Sequence, residues 1–356
     1  MATYKRQRYL FMTLDPVHIG TGGYRLGRVD NSIVREPGTK IPKIPGTSLH
    51  GAARSYSAQL YETPWAAGQS HDNPDNSDFD LGHNPVCYTF GYIKKSKNGN
   101  THDQTPIYSG VVNIFDAHVL LFPVHSMVGP VWVSTVERLE DAGLTVSTPP
   151  SSWNTDQAVL TWNRTDPINL GWLMLGIAGE GTVTPPQNWQ NEPRWKAIRK
   201  IVLVQERLFS QVVNSNLEVR TSVAINPETG AAEDGALFTY EAIPRATFLT
   251  AEVVLDDYRQ AFPNQTPGRT GQNNPLPGDP WNDSLDVVKA GFRMIEWLGV
   301  GGMGTRGFGR MAMVGDPVTV KIDEWFSQLQ NNQQPSLEAS FKTNSPTLVK
   351  KTGDKA

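Results

Sequence analysis

Read in order, the sequence gives a strand, a helix, strands, a second helix and a closing strand. That order predicts an α/β (α+β) chain: one sheet covered by helices in a ferredoxin-like core enlarged by large insertions. Three observations carry the expectation. The apolar run Arg8–Leu14 opens the core as a buried strand. Two amphipathic helices, starting near Thr47 and Leu285, repeat their apolar residues at helical spacing. Long polar stretches separate the elements, in a chain holding 32 Gly and 26 Pro.

The elements follow in turn. A glycine-rich turn, Gly20–Gly23, leads from the first strand into Val29–Arg35, which reads as a short strand or extended segment ended by Pro42, Pro45 and Gly46. The first helix takes Thr47 or Ser48 as its cap and turns Leu49, Ala52, Ala53, Tyr56 and Leu60 to the core. Thr63–Thr105 is rich in Asn, Asp and Gly and reads as an insertion outside the core. Val111–Phe115 and Val119–Phe122 read as paired strands around Asp116. Gly143–Pro193 has no assignable periodicity and is a second insertion. Gln205–Asn214 suggests a short helix. Val219–Ile225 and Ala236–Tyr240 form the arms of a hairpin whose tip, Asn226–Gly230, has turn chemistry. Thr247–Leu255 is a strand, and Asp256–Asn282 a third insertion. Helix Leu285–Leu298 is capped by Asp283 or Ser284. Arg310–Val314 closes the sheet. Residues 1–330 therefore form a single domain, and 331–356 a polar tail expected to be mobile.

Composition excludes several classes. The 356 residues carry a formal charge of −3, so the chain is neither a wholly basic nucleic-acid coat nor an acidic disordered protein. A single cysteine, Cys87, forbids an internal disulfide and fits a reducing, cytoplasmic location. No apolar run reaches the length of a membrane span. Charge is unevenly placed: Met1–Arg54 holds nine basic and three acidic residues, a local +6 on a chain otherwise acidic. Such a segment suggests a polyanion-binding face, with a solvated basic edge strand as the alternative.

Gly299–Arg310 contains six glycines. Glycine lets backbone amides approach a phosphate and permits anion-binding nests. A dinucleotide fingerprint needs a strand before the loop and a helix after it; here the order is reversed. Arg306 and Arg310 favour a phosphodiester chain as the ligand.

Three ordered stretches carry a resemblance. They are His18-Ile19-Gly20-Thr21-Gly22 leading to Gly27-Arg28-Val29-Asp30-Asn31-Ser32-Ile33-Val34-Arg35, then Ile41–Gly51 with Arg54, and the loop ending Arg306-Gly307-Phe308-Gly309-Arg310. This set resembles the RAMP superfamily, specifically the backbone subunits of type III CRISPR effector complexes. Asn113–Ala117 with Leu121–Val124, and Gly235–Thr239, are most similar to the type III-B subunit; Asp30-Asn31 also resembles the type III-A one, and the long insertions leave a type III-D relative open. His50 stands where the family usually has Lys, which weakens one phosphate contact or makes it pH-dependent.

The resemblance implies an RRM-type core and a thumb hairpin, here Val219–Tyr240, that flips one base of the bound RNA. It implies copies stacked head to tail on a guide CRISPR RNA, other subunits of the effector complex as neighbours, and a complementary target RNA. Asp30 matches the aspartate that cleaves the target, with Mg²⁺ or another divalent cation as cofactor. His18, Tyr240 and Glu241 are its candidate assistants. Arg28, Arg35, Lys43, Ser48, His50, Arg54, Arg220, Gly304, Arg306, Gly307, Gly309 and Arg310 are the expected RNA contacts. His83-x3-Cys87 before Phe90-Gly91 is similar to a zinc site of some relatives, with His71 as third ligand and His102 a distant fourth; zinc normally takes four ligands, so an ordinary buried cysteine is the preferred reading. Alternatives to the nuclease are a filament subunit that only holds RNA and a nuclease that matures the guide.

Overall fold

The central strand runs from Thr3 to Thr13. In this computed structural model, which describes residues 3–22, 29–68, 81–93, 107–148, 152–263 and 281–320, it pairs from Thr3 to Met12, antiparallel, with strand Phe248–Asp257. Its other edge takes Met311–Met313 and Val318–Val320. Alternation of apolar residues divides the strand between two layers. Tyr9 and Phe11 point to the helices, where both meet Phe292 edge-on at 5.1 and 5.3 Å between ring centres. Leu10 points the other way, into a second cluster with Leu120, Leu139, Trp195 and Phe248.

Two helices cover the first face. Helix Ser284–Leu298 buries Leu285, Val288, Phe292 and Ile295, as its periodicity predicts. Asp283 caps it in a reciprocal capping box with Asp286, and Gly299 ends it with φ of +79°. Helix Gly46–Leu60 packs against it so closely that a Cβ on Gly291 would lie 2.4 Å from the Ala53 carbonyl oxygen. Ser57 Oγ donates to the Val287 carbonyl across this contact.

The first helix starts differently from expectation. Neither Thr47 nor Ser48 caps it: it begins at Gly46, after Pro45, with no side-chain bond from its own N-cap. The Gly46 amide instead donates to Asp116 Oδ1, 70 residues away, at 2.7 Å. The expected pairing of Val111–Phe115 with Val119–Phe122 is also absent. Val112–Ile114 and Ala117–Ser126 both pair with Phe248–Asp257, one after the other, and Asp116 lies in the step between them.

Parts of the expected insertions belong to the body. Asn84–Ile93 contains a helix, Pro85–Phe90, every residue of which is buried. Gln157–Leu160, Ile168–Leu170, Leu173–Glu180 and Ile201–Leu203 extend the main sheet beyond Gly129–Ser134, giving twelve strands among the described residues. Trp189 and Trp195, from the same region, bury the second face of the sheet. That second face is core as well. Segments 69–80, 94–106 and 264–280, and the expected tail 331–356, lie outside the described residues.

Candidate functional site

With the sheet covered on both sides, the hairpin stands apart from the two cores. Strands Glu218–Ile225 and Ala232–Ala242 form a two-stranded hairpin separate from the main sheet, with Arg220 opposite Tyr240 and Thr221 opposite Thr239. Its outer part exposes Val223, Ile225 and Leu237. Its root is tied to the extended segment after Val29. Asn31 N–H donates to the Thr239 carbonyl and Glu241 N–H to the Asn31 carbonyl, both at 3.0 Å. Of the two expectations for this segment, short strand or extended segment, it is the second: extended chain held by isolated bridges, including Asn31 to Tyr240 and Gly20 to Ile33.

Asp30 sits exposed on this seam. Its Oδ2 accepts from the Thr239 amide at 2.7 Å and the Thr239 hydroxyl at 2.9 Å. The amide first, and the hydroxyl second, hold the Asp30 carboxyl below its ordinary value, so it is ionised at neutral pH.

His18, Tyr240 and Glu241 frame the seam from inside. His18, 5% exposed, contacts the Glu241 carbonyl through Nδ1 at 2.6 Å. A carbonyl only accepts, so Nδ1 carries a proton and donates it. Tyr240 is buried, and its hydroxyl pairs with Ser222 Oγ at 2.6 Å. Glu241, 8% exposed, binds Arg35 through Oε2 at 2.8 Å. Arg35 also donates to Asn214 Oδ1 and the Ile33 carbonyl. Arg35, expected as a phosphate contact, thereby ties this segment to the hairpin and to helix Glu206–Ser215. Likewise Glu241 is a partner for Arg35 and not a group at the surface.

The glycine-rich loop wraps the same seam. Gly302 N–H donates to the His18 carbonyl and Gly309 N–H to the Pro16 carbonyl, each at 2.9 Å. Gly301, at φ +87°, leaves no room for a side chain: a Cβ would lie 2.5 Å from the His18 carbonyl oxygen. Gly309 is thereby internal to the loop, and the Gly307 amide is taken by the Gly304 carbonyl. The amides of Met303 and Gly304 have no backbone acceptor among the described residues, and the space around Gly304 is open. Phe308 is buried against Tyr240 at 5.3 Å, joining loop to hairpin. Arg220 lies over the Phe308 ring at 4.7 Å while bound to Glu218; Arg306 lies near Phe238 at 5.9 Å and forms no ion pair among the described residues. Arg310 is held by Asp15, whose hydrogen bond pushes the guanidinium pKa up.

The first helix contributes less than its sequence suggests. Ser48, Ala52 and Tyr56 line a groove of 330 Å³ against Gly299–Gly301, Gly304 and Phe308. Lys43 is bound to Asp116. Partial burial opposes ionisation of Asp116, but the Lys43 ammonium and Gly46 amide outweigh it and hold the carboxyl below its ordinary value. The helix N-terminus is therefore already served by a carboxylate of the chain itself. Arg54, expected as a phosphate contact, donates to the carbonyls of Ala66 and Gly91 and so ties the first helix to its neighbours. His50 packs edge-on against Phe90 at 5.0 Å, and burial, helped by Arg54, lowers its pKa, so it is neutral where a lysine would be charged. The basic amino-terminal segment is similarly occupied: Lys5 pairs with Asp283, and Arg6 and Arg8 share Glu252. Arg306, supplied from the other end of the chain, is an exposed cation at the seam with no ion pair among the described residues. Arg28 lies outside the described residues.

No group of three or more His, Cys, Asp or Glu able to hold a metal occurs among the described residues. Cys87 is buried inside helix Pro85–Phe90, and burial pushes its thiol up to about 12, which favours the thiol over the thiolate that zinc requires. His71 and His102 lie outside the described residues. Of the residues that hold the seam together, Thr239, Phe238 and Phe308 were not singled out as site residues, although all three fall within the quoted motifs.

The fold has relatives among solved structures. A cryo-EM structure of the type III-B Cmr-beta complex bound to cognate target RNA contains a chain that superposes with a TM-score of 0.56 at 14% identity, covering 87% of this chain and 96% of that one. A crystal structure of oligomeric Cmr4 from Pyrococcus furiosus gives 0.50 at 17% identity, covering 89% and 99%. These show a shared fold. In sequence, the CRISPR system Cmr endoribonuclease Cmr4 of Pyrococcus furiosus is 27% identical over 260 residues, 68% of this chain and 79% of its own. The RAMP superfamily profile matches residues 10–312, and with that span covered the chain belongs to the RAMP superfamily.

Proposed function

We propose that this chain is a guide-RNA-binding backbone subunit of a type III-B CRISPR effector complex and that it cleaves the complementary target RNA at Asp30. The observation that carries the reading is the exposed, anchored Asp30 carboxylate at the root of a projecting hairpin and beside the glycine-rich loop. The relatives support it: one is named an endoribonuclease, one is bound to cognate target RNA and one is oligomeric. Copies of this chain accordingly stack head to tail on the guide, alongside other subunits. Among the described residues no helix is long and apolar enough to cross a membrane.

RNA carries its own nucleophile. The 2′-oxygen attacks the adjacent phosphorus, the bond to the 5′-oxygen breaks, and the products are a 2′,3′-cyclic phosphate and a 5′-hydroxyl. The 2′-hydroxyl proton leaves to solvent and the 5′-oxygen takes one up. The protein's part is to splay one nucleotide into the in-line geometry and to place charge beside it. The hairpin does the first and Asp30 the second, while Met303 and Gly304 amides and Arg306 hold the RNA chain. A protein-only cation cage does not fit these residues, but a lone carboxylate beside a phosphate suits Mg²⁺, which keeps several waters and binds through one or two carboxylates plus substrate phosphates. Bound there, the cation would neutralise charge on the scissile phosphate.

The test is the purified complex with guide RNA, labelled complementary RNA and Mg²⁺. Evenly spaced cuts are expected, abolished by EDTA and by Asp30→Ala while target binding persists. Cuts retained by Asp30→Ala would overturn the role of Asp30. No cuts in the wild type would leave a filament subunit, and metal-independent cutting of free precursor RNA would make the chain a processing nuclease.

A further inference from the structure

We propose that Thr239 is the positioning residue for Asp30, orienting its carboxylate and coupling it to the seating of the hairpin; this rests on the reading of Asp30 as the cleaving residue. Thr239 makes both of the hydrogen bonds that Asp30 Oδ2 receives, from amide and hydroxyl. The Asp30 amide in turn donates to Thr239 Oγ1 at 3.1 Å. That bond occupies the acceptor side of the hydroxyl, so its single proton is directed at Oδ2. The two residues close a reciprocal ring, and Oδ1 takes no hydrogen bond from another described residue.

The side-chain type matters. A β-branched residue is stiff about χ1, so the hydroxyl is presented in a fixed direction from the strand. Serine keeps the donor without the stiffness; valine keeps the shape without the donor. The place on the hairpin matters as well. Thr239 lies opposite Thr221, and its carbonyl receives the Asn31 amide. Beyond it the hairpin exposes Leu237, Val223 and Ile225. Thr239 is thus where the hairpin is tied to the segment that carries Asp30, and a displaced hairpin takes the carboxylate with it. Arg35 to Glu241 and His18 to the Glu241 carbonyl brace the residue two positions further on.

The experiment uses the assembled complex with guide, labelled complementary RNA and Mg²⁺, comparing wild type, Thr239→Val, Thr239→Ser and Asp30→Ala. Cleavage rate, cut positions, target affinity and melting temperature are read for each. Thr239→Val is expected to lower the cleavage rate about 10- to 100-fold, the worth of one hydrogen bond to a charged group, with affinity and melting temperature unchanged. Thr239→Ser is expected to recover most of the rate. Wild-type cleavage by Thr239→Val beside an inactive Asp30→Ala would overturn the inference and leave the reading of Asp30 standing. Cleavage by Asp30→Ala at the wild-type rate would overturn that reading itself. An equal loss in the Val and Ser variants, accompanied by lower melting temperature or lost RNA binding, would make Thr239 structural and likewise overturn the inference.

Discussion

Arg35→Ala is expected to destabilise the subunit instead of simply weakening its hold on RNA. Arg35 donates to Glu241 at 2.8 Å, to Asn214 at 3.0 Å and to the Ile33 carbonyl at 3.1 Å. The two charged side chains retain 22% and 10% of their exposure, so the pair is largely but not wholly desolvated. Removing one partner of a fully buried pair costs ~3–5 kcal/mol, chiefly because the other charge is left alone. Residual solvent lowers this to about 3 kcal/mol, to which the loss of two further acceptors contributes. At about 2.1 cal/mol/K of unfolding entropy per residue, that is a fall of roughly 4 °C in melting temperature for a chain of this size. The assay is thermal and urea unfolding of the isolated subunit for Arg35→Ala, Glu241→Gln and the double variant. Coupling of about 1–2 kcal/mol is expected, because the second substitution removes a charge already deprived of its partner. Unchanged unfolding together with a loss of RNA affinity would refute the reasoning and return Arg35 to the phosphate contacts.

Three further outcomes follow from the structure. Arg306→Ala, which removes a cation without an ion pair among the described residues, is expected to weaken guide binding and lower the slope of log affinity against log salt by about 1, measured by filter binding at several salt concentrations. Arg54→Ala should lower the melting temperature and leave that slope unchanged, since its donors serve carbonyls. Cys87, raised by burial from an ordinary value near 9.0 to about 12, stabilises the fold fully below its unfolded pKa and loses that contribution as pH rises toward its folded one. Unfolding free energy should fall by about 1 kcal/mol between pH 9 and 10 and lose this slope in Cys87→Ala; urea titrations at the two pH values would show otherwise if the thiol were accessible.

The elements that rest on local chemistry were legible in the sequence. Helix Ser284–Leu298 declares itself through Leu285, Val288, Phe292 and Ile295 and through Asp283, because cap and apolar face both lie within a few residues of the backbone they serve. The hairpin declares itself through its Asn-Pro-Glu-Thr-Gly tip, where Asn226 Oδ1 accepts the Glu228 and Thr229 amides. Asp30, the hairpin and the glycine-rich loop were each visible as separate motifs. The burial of Asn84–Ile93 was not, because polar flanks hide a short segment whose core contacts come from distant elements.

Sequence alone determined the kind of chain this is: helices, hairpin, loop and the carboxylate at position 30. Only the tertiary structure decided which charges remain at work. Lys43 finds Asp116 across 73 residues and Arg35 finds Glu241 across 206. A cation's partner is set by which strands lie side by side, and that depends on the packing of the whole sheet and not on any window of neighbours. For the same reason Thr239 stood in the sequence as one more strand residue until the fold brought its amide and hydroxyl against Asp30.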